Sequence, residues 1–158
     1  MMIEIESLNS LLDGFQTVEW PIGRGVLSNS SEGYVYVFIL SCEGRKLPFY
    51  VGQTKRFAAR MGDYEYSEFA ASTDFRVGEA VCYLAKEKQC GIEVRFKTSE
   101  HGRRDEYNII RELQLLGCHL LNSLPGYDFR RTSQEAERRV IQRFCCMVLR
   151  QSELGARN

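Results

Sequence analysis

The chain has 158 residues, with 21 Lys and Arg against 21 Asp and Glu, 44% hydrophobic residues and 27% charged ones. That length and balance suit one folded domain spanning residues 1–158, and they exclude both a disordered chain and a polybasic binder acting through bulk charge. The neutrality is a sum of unlike parts: residues 1–50 carry three basic and six acidic groups, residues 51–122 eleven of each, and residues 123–158 seven basic and four acidic.

Residues 1–32 read as an N-terminal leader. Ile5, Leu8, Leu11 and Leu12 have helical spacing, which Trp20, Pro21, Gly23 and Gly25 then interrupt. Tyr34 to Leu40 is dense in aromatic and β-branched residues and predicts a buried strand. Ser41 to Lys46, with Glu43-Gly44 at its middle, predicts a hairpin loop, and Phe49 to Val51 the returning strand behind Pro48. Gly52-Gln53 reads as a turn, with Thr54 as the N-cap of a helix reaching Tyr64 and Lys55 and Arg56 in its first turn. Phe75 to Gln89 predicts a helix closed by Gly91, Ile92 to Phe96 a half-buried strand, and Gly102 to Leu116 a strong helix followed by Leu120 to Asn122. A last helix is expected from Thr132, with Thr132 and Glu135 as a capping box, to Gln151. The order predicts an α+β fold: a small three-stranded antiparallel sheet flanked by helices, plus a C-terminal helix.

A hairpin centred near Glu43 sets Tyr36 opposite Tyr50 on one face, as a core aromatic pair or as two phenols of a site. Arg56, Arg60 and Tyr64 form a polar stripe on the following helix, beside Phe57 and Met61. On the later helix, Ile109, Ile110, Leu113, Leu116 and Gly117 share a face, and Glu106 projects at its centre. A carboxylate there is costly unless it is paired or binds a cation, or unless it sits clear of the core in the first turn. Glu112 falls on the polar side.

Taken in order, Tyr34-Val35-Tyr36, Tyr50-Val51-Gly52-Gln53-Thr54, Arg60, Glu106 and Asn122 resemble the GIY-YIG nuclease family over residues 33–122. Tyr36 and Tyr50 match the tyrosines of the two motifs, and Arg60, Glu106 and Asn122 match the family's arginine, glutamate and asparagine. Tyr64 stands where members often carry His or Tyr. Tyr34 replaces the first motif's glycine, and Gln53 replaces a lysine that some members use. The stretch from Glu106 to Asn122 is about one turn longer than in many members, which keeps Glu112 as an alternative to Glu106.

The resemblance implies a catalytic core that hydrolyses DNA phosphodiesters to 5′-phosphate and 3′-hydroxyl ends. One Mg²⁺ ion, with Mn²⁺ as a substitute, would be held by Glu106, a single carboxylate suiting an ion that keeps waters and takes phosphate oxygens. Arg60 would bind the scissile phosphate, Tyr36 and Tyr50 would position or deprotonate water, Tyr64 would assist by a hydrogen bond, and Asn122 would order the site. A phenol with an ordinary pKa of about 10 needs help to act as a base.

Candidate DNA contacts are Gln53, Lys55, Arg56, Arg103 and Arg104, beside His101. On the Arg-rich C-terminal helix of residues 123–158, Arg139, Arg143 and Arg150 flank an apolar stripe of Ala136, Val140, Phe144 and Met147 that a second copy could share as a homodimer. The alternative reading is a catalytically silent DNA-binding or protein-interaction module on the same scaffold. Six cysteines without a C-x-x-C pair fit no zinc spacing and read as free thiols in a cytoplasmic protein. The longest apolar run, Tyr34 to Cys42, is less than half a membrane span, and Glu4 and Glu6 do not suit a secretory signal.

Overall fold

The computed structural model describes residues 4–22 and 32–156, with side chains through Gln151. Gly23 and Gly25, expected to break the first helix pattern, lie outside the described residues. In chain order the elements are α1 (Ile5–Leu11), β1 (Gln16–Glu19), β2 (Tyr34–Cys42), β3 (Arg45–Thr54), α2 (Phe57–Glu65), α3 (Ser72–Cys82), β4 (Gly91–Thr98), α4 (Gly102–Leu115) and α5 (Gln134–Ala156). A π-helical turn, Tyr83–Glu87, extends α3, and a 3₁₀ turn, Leu121–Ser123, follows α4. The α+β class is as expected. The sheet has four strands, not three, in the order β1-β4-β2-β3, every pair antiparallel.

β2 lies inside the sheet, and its residues from Tyr34 to Leu40 are all buried. Successive side chains alternate between faces, so burial of every one means that both faces are covered. The β2–β3 hairpin turns on Glu43 and Gly44, both at positive φ (51° and 76°), the conformation that a two-residue turn needs to match strand twist. The strands therefore run closer to the turn than the expected loop from Ser41 to Lys46. β3 is an edge strand and accommodates Pro48 without losing an interior ladder bond.

A bulge changes the register of this hairpin. Pro48 pairs with Ile39 but Tyr50 pairs with Phe38, leaving Phe49 as the extra residue. Tyr36 consequently faces Gly52, and Tyr50 is its diagonal neighbour on the same face, not its direct partner. Gly52 and Gln53 continue β3 and form no turn. The Arg60 helix begins at Phe57, with Arg56 as its N-cap. Thr54 Oγ1 accepts from the Arg56 N–H at 3.0 Å before the helix starts, so Thr54 is not the cap and Lys55 and Arg56 precede the first turn.

Three further boundaries differ from expectation. α3 begins at Ser72, ahead of Phe75, and the turn after its π-helical extension is made by Gln89 at φ 54°, while Gly91 opens β4. α5 is capped by Ser133, whose Oγ accepts from the Ala136 N–H at 3.1 Å, so the Thr132–Glu135 capping box does not form. The face that α5 buries is Glu137, Ile141, Phe144, Cys145 and Val148. Val140 and Met147 are exposed, and of the expected stripe only Phe144 reaches the core.

The acid on that buried face has a partner. Glu137 is 3% exposed and accepts from Arg76 of α3 at 2.8 Å. Arg76 also donates to the Leu124 carbonyl at 3.2 Å and to the Pro125 carbonyl, and its guanidinium lies 5.1 Å from the centre of the Tyr127 ring. One largely buried cation thus ties α3 to α5 and to the chain between α4 and α5. Among the described residues no helix is long and apolar enough to cross a membrane.

Candidate active site

The site is built where β2, β3 and α2 meet. Tyr36 and Phe38 project from one face of β2, and Phe57 and Tyr64 of α2 pack onto it, with ring centroids 5.4 Å apart for Tyr36 and Phe57 and 5.6 Å for Phe38 and Tyr64. The spacing Phe57, Met61, Tyr64 is the buried stripe of α2, so a helix that docks on the sheet must deliver the Tyr64 hydroxyl to the phenols. Tyr64 hydrogen-bonds Tyr36 through their hydroxyls and donates to Tyr50 at 3.5 Å. Tyr64 is thus the hinge of a three-phenol chain.

Arg60 lies one turn earlier on α2. Its Nε donates to the Tyr64 hydroxyl at 3.2 Å, its guanidinium lies 5.0 Å from the centre of the Tyr64 ring, and its terminal nitrogen pairs with Asp74 of α3 at 2.7 Å. Asp74 was not among the sequence candidates. An acid in the first turn of a helix is commonplace, and only the packing of α3 against α2 brings it to Arg60.

Burial dominates the electrostatics. It pushes the phenols of Tyr36, Tyr50 and Tyr64 above the ordinary tyrosine value, and neighbouring phenols (Tyr50, Tyr64 and Tyr36 respectively) add to the rise. The Arg60 charge opposes the shift in each case without reversing it. All three tyrosines are therefore neutral at physiological pH.

Gly52 explains how the Tyr36 ring fits. A Cβ at Gly52 would overlap the end of that ring, so the directly opposed position on β3 must be glycine. The sequence signal was present in Tyr50-Val51-Gly52, but it concerns space for a phenol and not a turn. Gly52→Ala should destabilise the fold by about 1–3 kcal/mol through overpacking and lift Tyr36 away from Tyr64. Urea unfolding and the phenol absorbance of the folded protein would read both effects, and an unperturbed variant would contradict the close contact.

Asn122 is held against the edge of β3 that faces away from β2. The Val51 N–H donates to Asn122 Oδ1 at 3.0 Å, and Asn122 Nδ2 donates to the Val51 carbonyl at 2.7 Å. The amide acts like one residue of a further strand and satisfies both polar groups of the backbone next to Tyr50.

Glu106 stands on α4, half-buried, close enough to Tyr50 for its charge to raise that phenol further. Burial raises the Glu106 carboxyl above the ordinary glutamate value, and Arg103, one turn away, pulls it back. Ile109 and Leu113 are buried on the same helix, so Glu106 borders the core as its spacing indicated. Glu112 is exposed on a different groove, with Glu4, Ser7 and Leu116. That groove lies apart from the phenols.

A groove of about 540 Å³ opens beside this cluster, lined by Gln53, Thr54, Lys55, Arg60, Gly102 and Arg103. Gly102 abuts Gln53, since a Cβ there would come within 2.8 Å of the Gln53 amide oxygen. Arg56, His101 and Arg104 are exposed nearby in sequence but do not line the groove. Arg139, Arg143 and Arg150 are exposed on α5, which contributes nothing to the groove, and Arg139 pairs with Glu135 at 3.2 Å. The structure therefore gathers Tyr36, Tyr50, Arg60, Tyr64, Glu106 and Asn122 about β3, with Gln53, Lys55 and Arg103 at the opening.

Among the described residues no three His, Cys, Asp or Glu side chains form a metal-binding group. The donor set that remains is one desolvated carboxylate, Glu106, since Asp74 is engaged by Arg60. That set fits a hydrated Mg²⁺ completed by phosphate oxygens and does not fit zinc. No family model matches the chain, and neither a curated protein nor a solved structure matches it.

Proposed function

We propose that this protein is a GIY-YIG-type endonuclease that hydrolyses DNA phosphodiesters with Mg²⁺. The observation that carries this reading is the Tyr64 hydroxyl, joined to Tyr36, Tyr50 and Arg60 at once, beside a groove lined by cations. Arg60, at the edge of this cluster, donates to the one hydroxyl that links the other two phenols.

In this reading the groove takes the DNA backbone. Lys55 and Arg103 meet flanking phosphates, and Arg60, its plane fixed by Asp74 and Tyr64, faces the scissile one. Glu106 would hold Mg²⁺, an ion that when bound would stabilise negative charge developing on the phosphate and the leaving 3′ oxygen. Neutral phenols accept a hydrogen bond from water and orient it, and their raised pKa values favour positioning over standing deprotonation by Tyr36 or Tyr50. Asn122 keeps the strand that carries Tyr50 from shifting.

Incubating supercoiled plasmid with the purified protein tests the proposal. Nicked and linear products are expected in Mg²⁺ or Mn²⁺ and none in EDTA. Retarded but uncut DNA in Mg²⁺ would instead favour a silent DNA-binding module.

Salt dependence tests where the DNA lies. Lys55→Ala and Arg103→Ala should each flatten the plot of log affinity against log salt by about 0.9 per lost phosphate contact. Arg139→Ala with Arg143→Ala should leave the slope unchanged. A flattened slope in the α5 variant would move the DNA onto that helix.

A further inference from the structure

The sheet end remote from the phenols has a cysteine just beyond the last β2–β4 pair on each side. Ser41 of β2 pairs with Gly91 of β4, and Leu40 with Ile92, so the next positions outward are Cys42 and Cys90. The Ile92 carbonyl accepts from the Trp20 N–H at 2.8 Å, so the Ile92 backbone points to the β1 side and not to β2. Alternation along the ladder then makes Leu40–Ile92 a non-hydrogen-bonded pair and Ser41–Gly91 a hydrogen-bonded one. Cys42 and Cys90 fall at the next non-hydrogen-bonded position. In agreement, the Cys90 N–H is spent elsewhere, on the Leu84 carbonyl at 2.9 Å.

That position brings opposed Cα atoms to about 4.5 Å and their side chains to the same face. The separation lies within the range of about 4.4–6.8 Å that a disulfide spans without backbone movement. Both thiols are free and half-buried, and the Cys90 thiol donates to the Lys88 carbonyl at 3.5 Å. Burial raises the Cys90 thiol to about 11, with Cys42 adding to the rise and Lys88 opposing it. Cys118 and Cys145, by contrast, are buried, and no thiol partner is placed across a strand from either.

We propose that Cys42 and Cys90 are an oxidisable dithiol, closed to a disulfide by exchange with a small-molecule disulfide of the glutathione class. One cysteine thiolate attacks a sulfur of the small disulfide, giving a mixed disulfide and releasing one small thiol. The second thiolate attacks the protein sulfur of that mixed disulfide, forms the Cys42–Cys90 bond and expels the other small thiol. The two protein thiols lose two electrons and two protons, which the small disulfide takes up. The closed loop contains Tyr50, Arg60 and Tyr64, so oxidation staples the segment that carries two of the three phenols without touching them. The proposal is independent of the nuclease reading.

Free-thiol titration and peptide mapping of the intact folded protein in oxidised glutathione test it. The expected loss is two of the six thiols, with one cross-linked peptide pair joining Cys42 to Cys90 and dithiothreitol restoring all six. Retention of all six thiols, or a map that joins any other pair, overturns the proposal. Cys90→Ser should leave Cys42 to gain a single glutathionyl group. Loss of two thiols in that variant would show that another pair reacts and would equally overturn it. Oxidation of the wild type should raise Tm by roughly 5–10 °C through restriction of the unfolded chain, and an unchanged Tm would refute the staple.

Discussion

Glu106→Ala should abolish plasmid nicking in Mg²⁺ while leaving the circular dichroism spectrum and the thermal transition in place. Glu106 is the carboxylate beside Tyr50, and Asp74 cannot replace it because Arg60 holds it at 2.7 Å. If Glu106 holds Mg²⁺ as proposed, its loss removes charge stabilisation in the transition state, for which a fall of roughly 10³-fold or more is the expected scale. Nicking at the wild-type rate would remove Glu106 from the chemistry.

The same carboxylate should cost the metal-free protein stability, and the sign follows from its raised pKa. A folded-state value above the ordinary 4.5 means that the folded protein holds its proton to higher pH than the unfolded chain does. The contribution of Glu106 is thus fully present below about 4.5 and is lost as pH rises through the folded value. Metal-free Glu106→Gln should therefore melt higher than wild type at about pH 8, with the gap closing at about pH 4. A gap that widens toward acid would mean that Glu106 is stabilised as the anion.

Arg76→Ala should be the most destabilising of these changes, at about 3–5 kcal/mol, because it leaves a buried carboxylate without its cation. Glu137 is 3% exposed, and the same substitution strips the Leu124 and Pro125 carbonyls of a donor. On a domain of this size Tm should fall by on the order of 10 °C. Replacing Arg76 and Glu137 together by leucine should recover most of the loss, since no charge is then left buried. A single-variant loss as small as that of a surface ion pair would contradict the burial of this contact.

The readable parts of the fold were those in which side chains alone decide. Seven successive aromatic and branched residues from Tyr34 to Leu40 have no stable place except a covered strand, and Glu43-Gly44 is a turn by backbone preference. The helices followed from their apolar periods to within a few residues. β1 escaped notice because Gln16-Thr17-Val18-Glu19 is short and polar, with only Val18 even partly buried. It joins the sheet through backbone pairing with β4 from Phe96 to Glu93.

The α5 face was misjudged for a related reason. The apolar spacing of Ala136, Val140, Phe144 and Met147 does not include Glu137, whose burial depends on Arg76, 61 residues away in the chain. Within the site, Tyr36, Tyr50, Arg60, Tyr64, Glu106 and Asn122 could be named from spacing and resemblance. Their connections could not, because the Phe49 bulge sets Tyr36 against Gly52 and the docking of α3 supplies Asp74.

The most direct measurement of the central claim is the chemistry of the nick itself. Plasmid cut once by the wild-type protein in Mg²⁺ should be resealed by DNA ligase without prior kinase or phosphatase treatment, as 5′-phosphate and 3′-hydroxyl ends require. Supercoiled plasmid left intact by excess protein in Mg²⁺, or nicks that ligase cannot close, would contradict hydrolysis at this tyrosine, arginine and glutamate site.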